Sequence, residues 1–183
     1  MCIGLVLVSV LTSGWVEQAS PTGRTEVVTT SVFVDAPAEF VWKALNTGNK
    51  ITVEKTLLHK FGLPTPVRCS LSQENERVRG KRFCYFEQGE IEEEITVWDP
   101  PHTMHVKMVN STLPGRHWLS FVDANYVLQT EGDGTRIIRT TRIASELRPA
   151  WYWHVMERWG VEAEHRYVLR QLMTDVIHDG EVK

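Results

Sequence analysis

Hydrophobic residues alternate with polar ones, or form short β-branched runs, through most of the chain. This pattern is typical of β-strands. Turn residues such as Gln88-Gly89 and Asp99-Pro100-Pro101 separate the later segments by short loops, which predicts an antiparallel meander. The predicted strands cover residues 25–34, 66–73, 77–87, 90–99, 103–110, 117–130 and 135–147.

Helical spacing appears in three places. Residues 35–46 carry an apolar stripe after Asp35, a suitable N-cap, and residues 51–62 predict a second, shorter helix. Residues 149–178 predict one long C-terminal helix. Its apolar stripe at about 100° per residue is expected to face the sheet; it consists of Trp151, Val155, Trp159, Leu169, Met173, Val176 and Ile177. Glu162 and Arg166 fall in the middle of this stripe and predict a polar pair facing the cavity, or else a surface pair on a rotated helix.

The first residues have a different character. Residues 2–16 carry no charge, but they are shorter than the ~20 apolar residues that span a bilayer as a helix. Three interpretations stay open: the tail of a membrane segment, a weak export signal, or an element packed on the domain. We therefore divide the chain into a leader and linker (residues 1–24), one domain (25–179) and a tail (180–183).

Composition narrows the function classes. The 183 residues contain 42% hydrophobic and 23% charged residues, which is ordinary for one globular domain. The net charge of −3 gives no support to nucleic-acid binding. Cys2, Cys69 and Cys84 have neither a zinc spacing nor a disulfide pattern, and the histidines form no metal motif, so we expect no metal, no cofactor and a reduced, cytoplasmic chain. Residues 1–16 leave membrane association open, and both a monomer and a homodimer remain compatible.

The run Glu92-Glu93-Glu94 lies in a predicted hairpin whose turn is Gln88-Gly89. That turn pairs Cys84 with Glu93 and Arg82 with Ile95. Alternation then divides the hairpin into two faces, with only the middle glutamate inside. The inner face holds Arg82, Cys84, Phe86, Ile91, Glu93, Ile95 and Val97, and the outer face holds Lys81, Phe83, Tyr85, Glu92, Glu94, Thr96 and Trp98. A buried carboxylate needs a partner, and Arg82 lies diagonally within reach of Glu93.

Four segments resemble the helix-grip superfamily of START and pollen-allergen-like proteins (SRPBCC), and most of all its polyketide cyclase/dehydrase and lipid-transport group. They are VFVDAPAEFVWKALN (32–46), GKRFCYFEQGEIEEEITVWDPP (80–101), GDGTRII (132–138) and the stretch from RPAWYWHVMERW to EHRYVLRQL (148–172). The resemblance implies an α+β fold in which a curved antiparallel sheet of about seven strands grips the long last helix. One or two short helices follow the first strand, and an apolar cavity lies between sheet and helix.

The resemblance implies binding of a hydrophobic small molecule, such as a lipid, polyketide or isoprenoid, by a carrier, store or sensor. The residues expected to line or orient the ligand are Arg82, Cys84, Phe86, Glu93, Ile95, Tyr126, Arg139, Val155, Trp159, Glu162 and Arg166. One alternative is a cyclase or dehydratase with Glu93 as general base and Arg82 or Tyr126 polarising a carbonyl. Another is a chaperone-like or membrane-docked module that uses Phe83, Tyr85 and Trp98 on the outer face.

Overall fold

The strands form one antiparallel sheet in the computed structural model, which describes residues 23–72 and 78–181. The strand order is β1-β7-β6-β5-β4-β3-β2. The elements are β1 (Arg24–Val34), α1 (Ala38–Asn46), α2 (Leu57–Lys60), β2 (Pro66–Leu71), β3 (Lys81–Phe86), β4 (Gly89–Asp99), β5 (Thr103–Ser111), β6 (Leu119–Glu131), β7 (Gly134–Ser145) and α3 (Ala150–Glu181). This is the predicted helix-grip architecture, and the predicted pairing of Leu128 with Ile137 is confirmed.

The main core lies where α1 and the C-terminal half of α3 pack on the sheet. Val41 of α1, Ile95 of β4 and Leu172 of α3 belong to it and are almost fully buried. Each such side chain contributes about 1.5–3 kcal/mol by leaving water. The helix begins after Pro37 without a side-chain cap, so the prediction that Asp35 caps it is wrong. Pro37 occupies the N-cap position instead, and its ring fixes φ near −59°, a value that suits the start of a helix.

The β3–β4 hairpin turns one residue earlier than predicted, which shifts the pairing between the two strands by two residues. Arg82 pairs with Glu93, Cys84 with Ile91, and Phe86 with Gly89, so Glu87 and Gln88 form the turn. A shift of two residues keeps every side chain on its predicted face, because strand side chains alternate with a period of two. The inward positions of Arg82, Cys84 and Glu93 are therefore confirmed, whereas the predicted partners are wrong: Arg82 lies directly opposite Glu93.

The face assignment fails beyond Ile95, where the ladder with β5 shifts register. An irregularity of this kind turns the strand and exchanges its two faces. Val97, predicted to point inward, is 42% exposed, while the Trp98 ring packs on Trp42 of α1 with centroids 5.0 Å apart. Trp98 is thus part of the core side and does not belong to an outer aromatic patch.

The predicted inward stripe of α3 is wrong for its first half. Trp151, Val155 and Trp159 are each more than half exposed, and so is Ile177 near the other end. The face toward the sheet instead carries polar residues, which hydrophobic periodicity does not register; they include Glu157, Glu164 and His165. In the second half Leu169 and Val176 are buried as predicted.

Cys69 and Cys84 form a disulfide between the neighbouring strands β2 and β3. The prediction that the cysteines remain unpaired is therefore wrong. The prediction failed because Cys69 and Cys84 are 15 residues apart in sequence and become cross-strand neighbours only when β2 pairs with β3. Within residues 23–72 and 78–181, no helix is long and apolar enough to cross a bilayer. The leader and all but the last residues of the linker lie outside the described part.

Candidate functional site

An apolar pocket of about 560 Å³ lies between the first half of α3 and the sheet. Its walls come from the segment after α2, the loop between β5 and β6, and α3 itself. The apolar wall residues include Leu58, Phe61, Leu63, Phe86, Leu113, Trp118, Phe121, Trp153, Met156, Trp159 and Val161. The sheet forms one wall and α3 the other, so the distance between them determines the size of the pocket.

A smaller space of about 20 Å³ lies behind the pocket. Phe86, Phe121 and Glu164 line both spaces, so these side chains stand at the boundary between them. The smaller space is polar on one side, and we call its four charged residues the polar floor: Arg82, Glu93, Arg139 and Glu164. Of these four, Glu164 also lines the apolar pocket, so a compact group of charges lies behind the pocket wall.

The polar floor consists of two buried ion pairs. Arg82 Nη1 donates to Glu93 Oε2 at 2.6 Å, and Arg139 Nη2 donates to Glu164 Oε1 at 3.1 Å. All four residues are at most 7% exposed. Their charges sum to zero, which limits the cost of burial because each charge has a direct partner.

Tyr126 links the two pairs. Its ring centroid lies 5.5 Å from the guanidinium carbon of Arg82 and 5.3 Å from that of Arg139, within the range of cation–π attraction. Burial on its own lowers the pKa of Arg82, but the nearby charge of Glu93 and the contact with Tyr126 outweigh it and raise that pKa. Glu164 acts on the pKa of Arg139 in the same way. Both arginines stay charged.

Arg139 has hydrogen-bonding capacity left over. Its Nε and Nη1 are buried and have no hydrogen-bond partner among the described residues. Glu164 Oε2 also lacks a hydrogen bond, although it lies 3.0 Å from Arg139 Nη2, because the geometry at this oxygen is unsuitable. Leaving a buried donor unpaired costs about 1–3 kcal/mol. Such donors beside a cavity are suited to an acceptor that is not part of the protein.

Both ring nitrogens of His165 have hydrogen-bond partners within the protein. His165 is completely buried, with Nδ1 2.8 Å from Thr30 Oγ1 and Nε2 2.7 Å from Thr141 Oγ1. Burial, with a smaller contribution from the charge of Arg139, lowers the pKa of His165 to about 2. The imidazole is therefore neutral and joins α3 to β1 and β7.

Glu157 also faces the pocket, but its carboxylate is occupied. It accepts a hydrogen bond from Ser145 Oγ at 2.5 Å and forms an ion pair with Arg24 at the start of β1. This contact closes the pocket wall where the first strand meets the helix. Glu157 is not available to a ligand in the way that Arg139 is.

The structure brings six of the predicted residues together around the small cavity: Arg82, Cys84, Phe86, Glu93, Tyr126 and Arg139. Cys84 Sγ lies 3.8 Å from Glu93 Oε2, but the sulfur belongs to the disulfide and has no proton to donate. Ile95 is buried in the main core and lines neither space. Trp159 lies at the pocket mouth, half exposed.

Three predicted residues lie elsewhere. Val155 is 60% exposed, and the Glu162–Arg166 pair lies along an outer groove between β1 and α3. These positions correct the prediction that they line the cavity. Glu157 and Glu164 were not among the predicted residues; they are two helical turns apart and hence share one face. Their spacing, with His165 beside Glu164, was a detectable sign of a polar inner face.

Comparison with known proteins supports the fold. No family model matches the chain, and no curated protein matches it. Among solved structures, Ara h 8.0201 has a TM-score of 0.57 at 11% identity, over 85% of this chain and 99% of that one. Protein CV1439 from Chromobacterium violaceum has 0.56 at 15% identity, over 82% and 96%.

Norcoclaurine synthase from Thalictrum flavum, solved in complex with dopamine and hydroxybenzaldehyde, gives a TM-score of 0.56 at 14% identity, over 86% of this chain and 89% of that one. At identities this low the likeness concerns the fold alone. Each superposition covers most of this chain and most of the other chain. The chain therefore has the helix-grip fold of the START and pollen-allergen-like proteins.

Proposed function

We propose that this protein binds a hydrophobic small molecule between the sheet and α3, as a carrier, store or sensor. The observation that carries the proposal is an apolar pocket of about 560 Å³ that shares wall residues with the space lined by the polar floor, where Arg139 has unpaired donors. Ligand sites typically have about 300–1,000 Å³ and combine apolar walls with a few placed polar groups.

The walls would provide most of the affinity. Each methylene group that leaves water for an apolar site contributes about 0.8 kcal/mol. The tryptophan, phenylalanine, leucine and methionine side chains of the wall offer no competing hydrogen bonds apart from the indole N–H. The ligand body is therefore expected to be aliphatic, aromatic or both.

The polar floor would orient the ligand. Nε and Nη1 of Arg139 require an acceptor, and the floor is already neutral in charge. A ligand carboxylate would add an uncompensated negative charge close to Glu93 and Glu164, which is costly in a buried site. A neutral oxygen, as in a ketone, ester, ether or alcohol, fits the floor better.

The enzyme alternative stays a prediction. A general base must reach its substrate within hydrogen-bonding distance. Glu93 lies behind the pocket and is held by Arg82, so we give it a structural role in keeping Arg82 and Tyr126 in place. The neighbour that contains dopamine and hydroxybenzaldehyde supports the view that this fold accommodates small aromatic molecules.

Titration with Nile red, an apolar and uncharged dye with one carbonyl, tests the pocket. Gly160 lines it, and a Cβ at this position would meet Leu63 Cδ1 at 3.5 Å, an ordinary contact. Gly160→Ala is therefore a tolerated control, whereas the ring of Gly160→Phe would fill the space. We expect Nile red to bind the wild type and Gly160→Ala alike and Gly160→Phe at least about tenfold more weakly. Equal binding by all three, or none by any, would refute the proposal.

The polar floor has its own variant. Arg139→Met with Glu164→Leu removes the unpaired donors together with their partner charge. Loss of one hydrogen bond of about 0.5–1.5 kcal/mol should weaken dye binding by up to roughly tenfold. Arg166→Met, on the outer groove, is the matched control and should bind as the wild type does. If the floor variant binds equally well, the pocket stands but the floor does not orient the ligand.

A further inference from the structure

Large apolar side chains surround the mouth of the pocket and are exposed to solvent. Phe61, Trp118, Met156 and Trp159 all line the pocket and are 85%, 63%, 38% and 51% exposed. We call these four residues the aromatic rim. They come from three separate parts of the chain, namely the end of α2, the β5–β6 loop and α3, so the rim is a property of the fold. Large apolar side chains gathered on a surface mark an interaction site.

The apolar surface continues along the first turn of α3. The rings of Trp151, Tyr152 and Trp153 contact one another edge to face, with centroids 6.1 Å and 5.1 Å apart. Trp153 also lines the pocket. Tryptophan and tyrosine are the residues that proteins place at the boundary between water and lipid, because the ring is apolar and one edge forms hydrogen bonds.

The charges around the mouth are compatible with an anionic surface. Among the described residues that line the pocket, the carboxylates are those of Glu157 and Glu164, and both are buried and paired with arginine. Arg116 is the exposed cation of the lining. No carboxylate that lines the pocket is thus free to repel lipid phosphates, and an exposed carboxylate beside the rim is that of Glu146.

Gly23, the first residue that the structure describes, lies at the same place. The side chain of Glu146 lies beside Gly23, since an added Cβ there would be 3.3 Å from Glu146 Oε1. The Glu146 N–H donates to the carbonyl oxygen of Trp118 at 2.7 Å. Residues 2–16, which carry no charge, therefore precede a strand that begins next to the aromatic rim.

We propose that the aromatic rim docks on a lipid bilayer, with the pocket mouth against the membrane. In that position the apolar pocket opens into hydrocarbon, and the hydrophobic ligand of the proposed function, on which this inference rests, passes between membrane and pocket without crossing water. The rim is the element that places the mouth correctly.

Co-sedimentation of the full chain with vesicles of phosphatidylcholine and phosphatidylserine tests this docking. Phe61→Ser, Trp118→Ser and Trp159→Ser should each lower the partition coefficient roughly tenfold, because each removes one large apolar side chain from the contact. Val27→Ser and Val109→Ser, which are 56% and 55% exposed but lie away from the mouth, are the matched controls and should partition as the wild type does.

Quenching of tryptophan fluorescence by brominated lipid separates the rim from the leader. Trp118→Phe with Trp159→Phe should lose much of the quenching, and Trp15→Phe should retain it. Three results would overturn the proposal: no partition of the wild type, equal partition of rim and control variants, or quenching that depends on Trp15 alone. The first result, together with a dimer that the rim variants abolish in gel filtration, would assign the rim to a second copy of the chain.

Discussion

The buried imidazole of His165 makes stability depend on pH. In the folded protein its pKa lies at about 2, because the ring is fully buried and Arg139 is close. In the unfolded chain the pKa returns to about 6.5. Below that value the unfolded chain takes up a proton at His165 that the folded protein does not, so acid favours unfolding. Above about pH 6.5 both states are neutral, and the contribution no longer changes.

The magnitude follows from the difference between the two pKa values. Each pH unit below 6.5 lowers the free energy of unfolding by about 1.4 kcal/mol, until the folded pKa is approached. From pH 7 to pH 5 the loss is therefore about 2 kcal/mol, a sizeable share of a total stability of about 5–15 kcal/mol. His59 is also buried and has a lowered pKa, so its effect has the same sign.

Urea unfolding at several pH values, followed by tryptophan fluorescence, measures the slope. In His165→Gln the amide replaces the polar contacts with Thr30 and Thr141 but does not titrate. All other groups, His59 included, are common to both proteins, so the difference between the two curves isolates His165. We expect that difference to change by about 2 kcal/mol between pH 7 and pH 5. Parallel curves would show that His165 titrates normally and that the buried, neutral assignment is incorrect.

Two further predictions concern the pairs behind the pocket. Arg139→Met alone should destabilise by about 3–5 kcal/mol, because it leaves Glu164 buried without a partner, whereas adding Glu164→Leu should recover most of the loss in urea unfolding; equal losses in the single and double variants would contradict a buried pair. Reduction of Cys69–Cys84, which closes a loop of 15 residues, should lower the free energy of unfolding by about 2–3 kcal/mol, while Cys69→Ser with Cys84→Ser should no longer respond to reductant.

Alternation along the strands allowed much of the site to be predicted. The hairpin turn was misplaced by one residue and the strand pairing therefore by two, yet Arg82, Cys84 and Glu93 were assigned to the correct face because an even shift preserves alternation. The same argument failed after Ile95, since a local change of register leaves no clear trace in the pattern of apolar residues.

The inner face of α3 could not be predicted from hydrophobicity. Its first half buries Glu157, Glu164 and His165 and exposes Trp151, Val155 and Trp159. Each buried polar group depends on a partner from a distant strand, such as Arg139 for Glu164. Partners that meet only through tertiary structure give no periodic signal in the sequence. The exposure of Trp159 is explained by its place at the pocket mouth, outside the core.

The disulfide removes the reason for which a reduced compartment was predicted. A reduced, cytoplasmic chain was expected because the cysteines had no recognisable spacing, but Cys69 and Cys84 pair across β2 and β3. Disulfides persist mainly in oxidising compartments. The compartment therefore stays a prediction, and thiol titration of protein isolated without reductant would reveal whether the pair is closed in the cell.

Native mass spectrometry of the full chain, purified without detergent, tests the central claim most directly. The wild type and Gly160→Ala should carry one small apolar molecule with a neutral oxygen function, and Gly160→Phe should be free of it, because its ring occupies the space beside Leu63. An adduct of equal abundance in Gly160→Phe would place the ligand elsewhere. No adduct in any of the three, together with no uptake of Nile red, would contradict the proposed function.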